Sequence, residues 1–174
     1  MLMTENIPYS FTKESRAQFI SPTGQRRKSQ DEKYQKEWLR TYVGIDVGKG
    51  TGIRVNSATG ELKKLYRVMK EDDFHSWSED FDGIHKSTKT FYSLKMITCA
   101  GGAQNRAIRE VAHHISACVN HLRIRDEGFN FHFILDGAQV LKYQKQLLNM
   151  IPPQYLHRFY IGSMRAYKDF NDRA

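Results

Sequence analysis

The sequence predicts an α/β fold, a mixed central β-sheet flanked by helices. Three observations carry that expectation. Apolar and aromatic runs of strand length occur at 81–86, 90–98, 129–137 and 157–164. Between them, about Ala103 to Leu122 repeats its apolar residues every three or four positions, the period of a helix buried on one side, and 137–150 reads as another helix. The order from residue 81 onward therefore reads β-β-α-β-α-β, without an internal repeat, and strands alternating with helices in this way build a sheet covered by helices.

Bulk properties narrow the class. The chain has 174 residues, of which 40% are hydrophobic and 12% aromatic, enough to bury a core. No apolar run approaches the ~18 residues of a membrane span, and the N-terminus lacks the apolar centre of a secretory signal. With only Cys99 and Cys118, a disulfide framework or four-cysteine zinc site is excluded, and a reducing, cytoplasmic setting fits. The formal net charge is +8, with the excess at the ends. Residues 13–40 carry eight Lys/Arg against four acids and residues 142–174 six against two, whereas 41–141 holds thirteen against twelve. Such a distribution suits a polyanion, since each cation set near a phosphate releases condensed counterions. We divide the chain into a basic N-terminal arm and helix, 1–40, and a single α/β domain, 41–174.

Taken in order, residues 21–29 read as a basic loop punctuated by Pro22 and Gly24, with Arg26, Arg27 and Lys28 placed to touch phosphates or simply to be solvated. From Ser29 the spacing of Tyr34, Trp38 and Leu39 predicts a helix, with Asp31 and Glu32 in the first turn, where the helix dipole favours acids. Three short strands are expected at Tyr42–Asp46, Gly52–Val55 and Leu62–Met69, separated by glycine-rich and Ser-Ala-Thr-Gly turns. Residues 71–81 form an acidic loop. The runs 81–86 and 90–98 make a hairpin about Ser87-Thr88, and Gly101-Gly102 breaks the second run before the long helix. The aromatic run 129–137 is the expected central strand, ending at a turn at Asp136-Gly137. A further helix stops at Pro152-Pro153, a last strand follows, and the tail is basic and polar.

The hairpin and the long helix carry the chemistry-bearing residues Asp82, Ser93, Lys95 and Glu110. Phosphodiester hydrolysis needs a cation that polarises the phosphate and acidifies a water. Magnesium takes oxygen ligands, typically one or two carboxylates plus waters. A lysine beside it orients the water and neutralises charge on the phosphate. Asp82 and Lys95 sit on partner strands and meet across the pair if the register sets them on one face.

These elements resemble the PD-(D/E)xK nuclease superfamily, which has an Asp on one strand, a (D/E)xK tripeptide on the next and then a helix. Here the tripeptide reads Ser93-Leu94-Lys95, without the acid, and no proline precedes Asp82. A subset of type II restriction endonucleases, similar to EcoRII and NgoMIV, also carries Ser or Thr there, and a Glu on the following helix replaces the missing carboxylate. Glu110 occupies that place. The resemblance covers roughly 78–163 and implies a restriction-endonuclease-like core, Mg2+ held by Asp82 and Glu110, water positioned by Lys95, and cleavage of double-stranded DNA by a homodimer. Asp80 rivals Asp82, because the two share strand parity. Gln104, Asn105, Arg106 and Arg109 open the long helix with side chains able to read bases, although Asn and Gln also serve as caps.

Other readings coexist. The run 44–50 resembles the first strand of RNase-H-like nucleases and transposases, which would make Asp46 a metal ligand, and also the phosphate loop of sugar kinases and actin-like ATPases. Glu61-Leu62-Lys63, after Asp46, is a second literal D…ExK match, but leads into no helix. His113 and His114 lack HExxH spacing, which disfavours zinc. Glu110 could instead pair with Arg106 one turn earlier, and a basic DNA-binding protein that has lost activity also fits the serine at 93.

Overall fold

The computed structural model describes residues 30–65, 76–97, 102–137 and 140–174. A mixed four-stranded sheet has the order β3-β4-β5-β6, built from Gly83–His85, Thr90–Met96, Asn130–Asp136 and Phe159–Gly162. The first pair is antiparallel and the other two are parallel. A separate hairpin pairs β1, Ile53–Val55, with β2, Leu62–Lys64. The helices are α1 Gln30–Trp38, α2 Gly102–Ile124, α3 Val140–Asn149 and α4 Met164–Arg173. The expected α/β class, the hairpin and the order β-β-α-β-α-β are all present. Among the described residues no helix is long and apolar enough to cross a membrane.

The period-2 patterning of the strands splits the interior into two cores, one on each face of the sheet. Phe91, Phe131, Phe133, Phe159 and Ile161 point to one face, where they meet Val111, Ile115, Cys118, Val119 and Leu122 of α2. The alternate residues Tyr92, Leu94, Ile134 and Tyr160 point to the other, against Trp38 of α1 and Met164 and Tyr167 of α4. Both faces of β4 and β5 are thus covered, which is why those strands read as nearly continuous apolar runs.

Three expectations are corrected or bounded. The strand expected at Tyr42–Asp46 is absent; a π-helical turn, Leu39–Val43, ends there on Gly44 in the left-handed region at φ 75°. Gly48 and Gly52 also have positive φ, 71° and 65°, so the segment bends and cannot hold a ladder. It nonetheless buries Ile45 and Val47 and runs beside β3, where Val47 O accepts from Ile84 N at 2.9 Å. The strand expected at Leu62–Met69 is shorter, since β2 ends at Lys64 and 66–69 lie outside the described residues. The polar tail after β6 is in fact α4, capped by Ser163 Oγ accepting from Ala166 N at 3.2 Å. Its buried residues are Met164 and Tyr167. Tyr167 is buried with its hydroxyl bonded to Tyr92 Oη at 2.7 Å and to His132 Nδ1 at 2.8 Å. Arg26, Arg27, Lys28 and the Gly101 corner lie outside the described residues.

Candidate active site

The site begins with a short extended stretch, 76–82, that docks on β1. Ser78 is buried; its N–H donates to Val55 O at 2.9 Å and its Oγ accepts from Val55 N at 3.0 Å. Phe81 N donates to Ile53 O at 3.0 Å, and the Phe81 ring stacks on Phe91 with centroids 4.4 Å apart. With Ser78 and Phe81 held inside, the acids between and after them are turned in set directions. Asp80 pairs with Arg54 at 3.6 Å, while Glu79 forms an ion pair with Lys95.

Asp82 continues this stretch into β3. The register Gly83↔Tyr92 sets Asp82 beside Ser93, on the sheet face that also carries Lys95. Asp82 Oδ2 accepts from Leu94 N at 2.6 Å. Burial nevertheless pushes the Asp82 carboxyl up to about 7, because the loss of water outweighs that hydrogen bond and the attraction of Lys95. Lys95 is also removed from water, which opposes its charge. Glu79 first, then Asp82 and Glu110, outweigh that penalty and hold the ammonium above the usual lysine range. Glu110 reaches in from α2 and hydrogen-bonds the Glu79 carboxyl; burial and then the charge of Glu79 raise its proton affinity.

Asp82, Lys95 and Glu110 therefore converge on one cavity of about 650 Å³. Its wall also includes Glu79, Asp80 and Arg54, with Arg106, Arg109 and His113 from α2. Four acids stand against four Lys/Arg in that wall, so the cavity gains a net attraction for phosphate only if a cation is added. The donors are carboxylate oxygens, hard ligands that suit magnesium. Among the described residues no three carboxylates, imidazoles or thiolates are already gathered around one point. Asp82 and Glu110 bring carboxylates to the wall from separate elements, and magnesium ordinarily takes one or two carboxylates together with waters and phosphate oxygens.

The other expected residues are placed as follows. Ser93 shares the Lys95 face but is buried and does not line the cavity. Asp80 lines the cavity with its charge directed to Arg54, so of the two rivals Asp82 is the one set against Lys95. Arg106 and Arg109 are exposed on the cavity rim. Asn105 is exposed and accepts from Tyr143 Oη at 3.5 Å, and the side chain of Gln104 lies outside the description. Asp46 is elsewhere, its Oδ1 accepting from Gly48 N at 2.9 Å, with Arg40 3.9 Å away. Glu61 and Lys63 belong to the β1–β2 hairpin and take no part. His114 is a core residue between Phe81 and Phe133, held neutral by burial with its pKa lowered to about 3. Asp136 ends β5 and acts on Tyr34 and Tyr160, on the face away from the cavity.

Glu79 is the site residue that sequence patterning passed over. It sits in a loop with no period to mark it, and only the docking of Ser78 and Phe81 aims it at Lys95. No family model matches the chain, and neither a curated protein nor a solved structure matches it.

Proposed function

We propose that this chain is a magnesium-dependent endonuclease of restriction type, hydrolysing phosphodiester bonds of double-stranded DNA. The observation that carries this reading is the convergence of Asp82, Lys95 and Glu110, from three successive elements, on one cavity rimmed by arginines. Asp82 and Glu110 would hold the ion, which when bound polarises the scissile phosphate and acidifies the attacking water. Lys95 remains an ammonium at neutral pH, so it serves as hydrogen-bond donor and positive charge at the phosphate, not as the base. Arg106 and Arg109 open outward from α2 and suit backbone phosphates beside the cut. The cationic excess of residues 13–40, which includes Arg26, Arg27 and Lys28, suits the same polyanion by its charge.

Cutting both strands of a two-fold site calls for two copies related by the same axis, hence a homodimer. A cytoplasmic setting agrees with the buried free thiol of Cys118.

The test is plasmid cleavage with magnesium by the native chain, Lys95→Ala and Asp46→Ala. Cleavage abolished by the first and retained by the second is the expected result. Loss only with Asp46→Ala would move the chemistry to an RNase-H-like site. Absence of cleavage together with salt-sensitive DNA retention would make the chain an inactive binding protein.

A further inference from the structure

A groove of about 280 Å³ lies between α1 and the loop 44–50. Its walls carry Lys33 and Lys36 of α1, Arg40 of the π-helical turn, Lys49 of the loop, and the acids Glu32 and Glu37. Four cations stand against two acids here, whereas the cavity of Lys95 sets four against four. We infer that this groove seats the phosphodiester backbone of the duplex beyond the scissile phosphate. The assignment rests on the reading of duplex DNA as substrate and gives that substrate a second surface.

The charge is available to a partner. Glu32 already pairs with Lys36 at 2.7 Å, while Lys33, Arg40 and Lys49 are exposed. Asp46 lies 3.9 Å from Arg40, but both side chains are more than half exposed, so water screens the pair and little of the cation is cancelled. The cations also extend along a line. Lys33, Lys36 and Arg40 follow one another at three and four residues, on one helical face over about 10 Å of rise. A DNA strand presents a charge about every 3.4 Å of axis, so a polymer engages that whole length, whereas a lone phosphate meets one end of it. On the loop side, Gly50 does not take the left-handed conformation, and a Cβ there would meet nothing within 4 Å. Neither strain nor packing calls for that glycine, and its missing side chain keeps the wall low for an approaching backbone.

Both walls are fixed to the strands that position the cavity. Gln35 of α1 is fully buried and donates from Nε2 to Lys95 O at 3.2 Å. Val47 O accepts from Ile84 N at 2.9 Å and ties the loop to β3, which Asp82 immediately precedes. Glu32 and Lys36 are near enough for their charges to act on the Asp82 carboxyl. A strand seated in the groove is therefore held in a set place relative to Asp82 and Lys95.

A merely solvated helix face predicts something different, because its lysines would add no more to DNA affinity than any other exposed pair. The experiment measures binding of a labelled duplex by the full chain, without magnesium, by fluorescence anisotropy at several salt concentrations. The chains are the native one, Lys33→Ala with Lys49→Ala, and Lys86→Ala with Arg123→Ala. The last pair removes two exposed cations that line neither the groove nor the cavity. Melting is recorded for each. Plasmid cleavage with magnesium is measured for the native chain and Lys95→Ala, and pyrophosphate binding by calorimetry for the native chain and the groove variant.

The groove variant should bind every duplex more weakly, with a salt slope smaller by about 2, while the control pair changes it by less than half as much. Native affinity and slope in the groove variant, with cleavage still dependent on Lys95, overturn the inference and leave the nuclease reading standing. An equal loss in the control pair overturns it too, since charge anywhere would then serve. Pyrophosphate binding lost from the groove variant while duplex binding stays native would make this a small-anion site, and likewise overturns it. A native chain that neither retains DNA nor cleaves overturns both readings. Should the groove variant fail to melt cooperatively, Lys33→Ala and Lys49→Ala are measured singly, each expected to lower the slope by about 1.

Discussion

Asp82→Asn should stabilise the fold while destroying the site. The carboxyl is pushed from its ordinary 3.8 up to about 7 in the folded chain. That rise corresponds to about 4 kcal/mol against the ionised form. Asp82 borders an open cavity and is only half-buried by area, so solvent relieves part of this, and about 2 kcal/mol is the working figure. Below about pH 4 the group is neutral in both folded and unfolded chains and contributes nothing. Between about 4 and 7 the unfolded chain gives up the proton and the folded chain keeps it, so stability falls as pH rises; above about 7 the loss is complete. An asparagine keeps an oxygen for Leu94 N but carries no charge, so it escapes that loss.

The variant should therefore melt about 4–8 °C above the native chain near pH 8, and within a degree or so of it near pH 4. His114 titrates in the opposite sense, because its folded pKa of about 3 costs stability as pH falls below 6.5. Comparing the two chains at each pH removes that contribution. Melting followed by circular dichroism in cation-free buffer is sufficient. An Asp82→Asn chain no more stable than the native one near pH 8, or equally stabilised near pH 4, would refute the account of Asp82 as a desolvated carboxylate.

Gly83→Ala places a Cβ 2.6 Å from Val47 O and 2.7 Å from its side chain. It should cost about 1–3 kcal/mol in a denaturation curve and lower cleavage as well, since Asp82 immediately precedes β3. Arg158→Ala removes bonds to Asp126, Phe129 O and Asn130 Oδ1 at the far end of β5. It should destabilise by about 1–3 kcal/mol while cleavage per folded molecule is unchanged, which separates stability from chemistry. Arg106→Ala with Arg109→Ala should weaken duplex binding at every sequence and reduce the salt slope by up to about 2, as read by binding titrations at several ionic strengths.

The sequence by itself determined the α/β class and the order of elements from residue 81 onward. The apolar and aromatic runs at 90–98 and 129–137 and the helical period of 103–122 report burial, and burial is the force that forms those elements. It nominated Asp82, Lys95 and Glu110 as a trio, but whether they meet was left to the register of β3 on β4 and the placing of α2, which the tertiary structure supplies. Local pattern failed where structure depends on a few long-range contacts. Residues 42–46 look like a strand, yet glycines with positive φ bend the segment, and only the edge of β3 gives it a place. Residues 164–173 look polar, yet one tyrosine hydroxyl bonded to Tyr92 and His132 docks them as α4. Glu79 belongs with these. Its letter in the sequence is one more acid in an acidic loop, and what sets it against Lys95 is the pairing of that loop with β1, some twenty-four residues earlier in the chain. Periodic burial is written along the chain, whereas the meeting of charges from separate loops is decided only when the backbone closes.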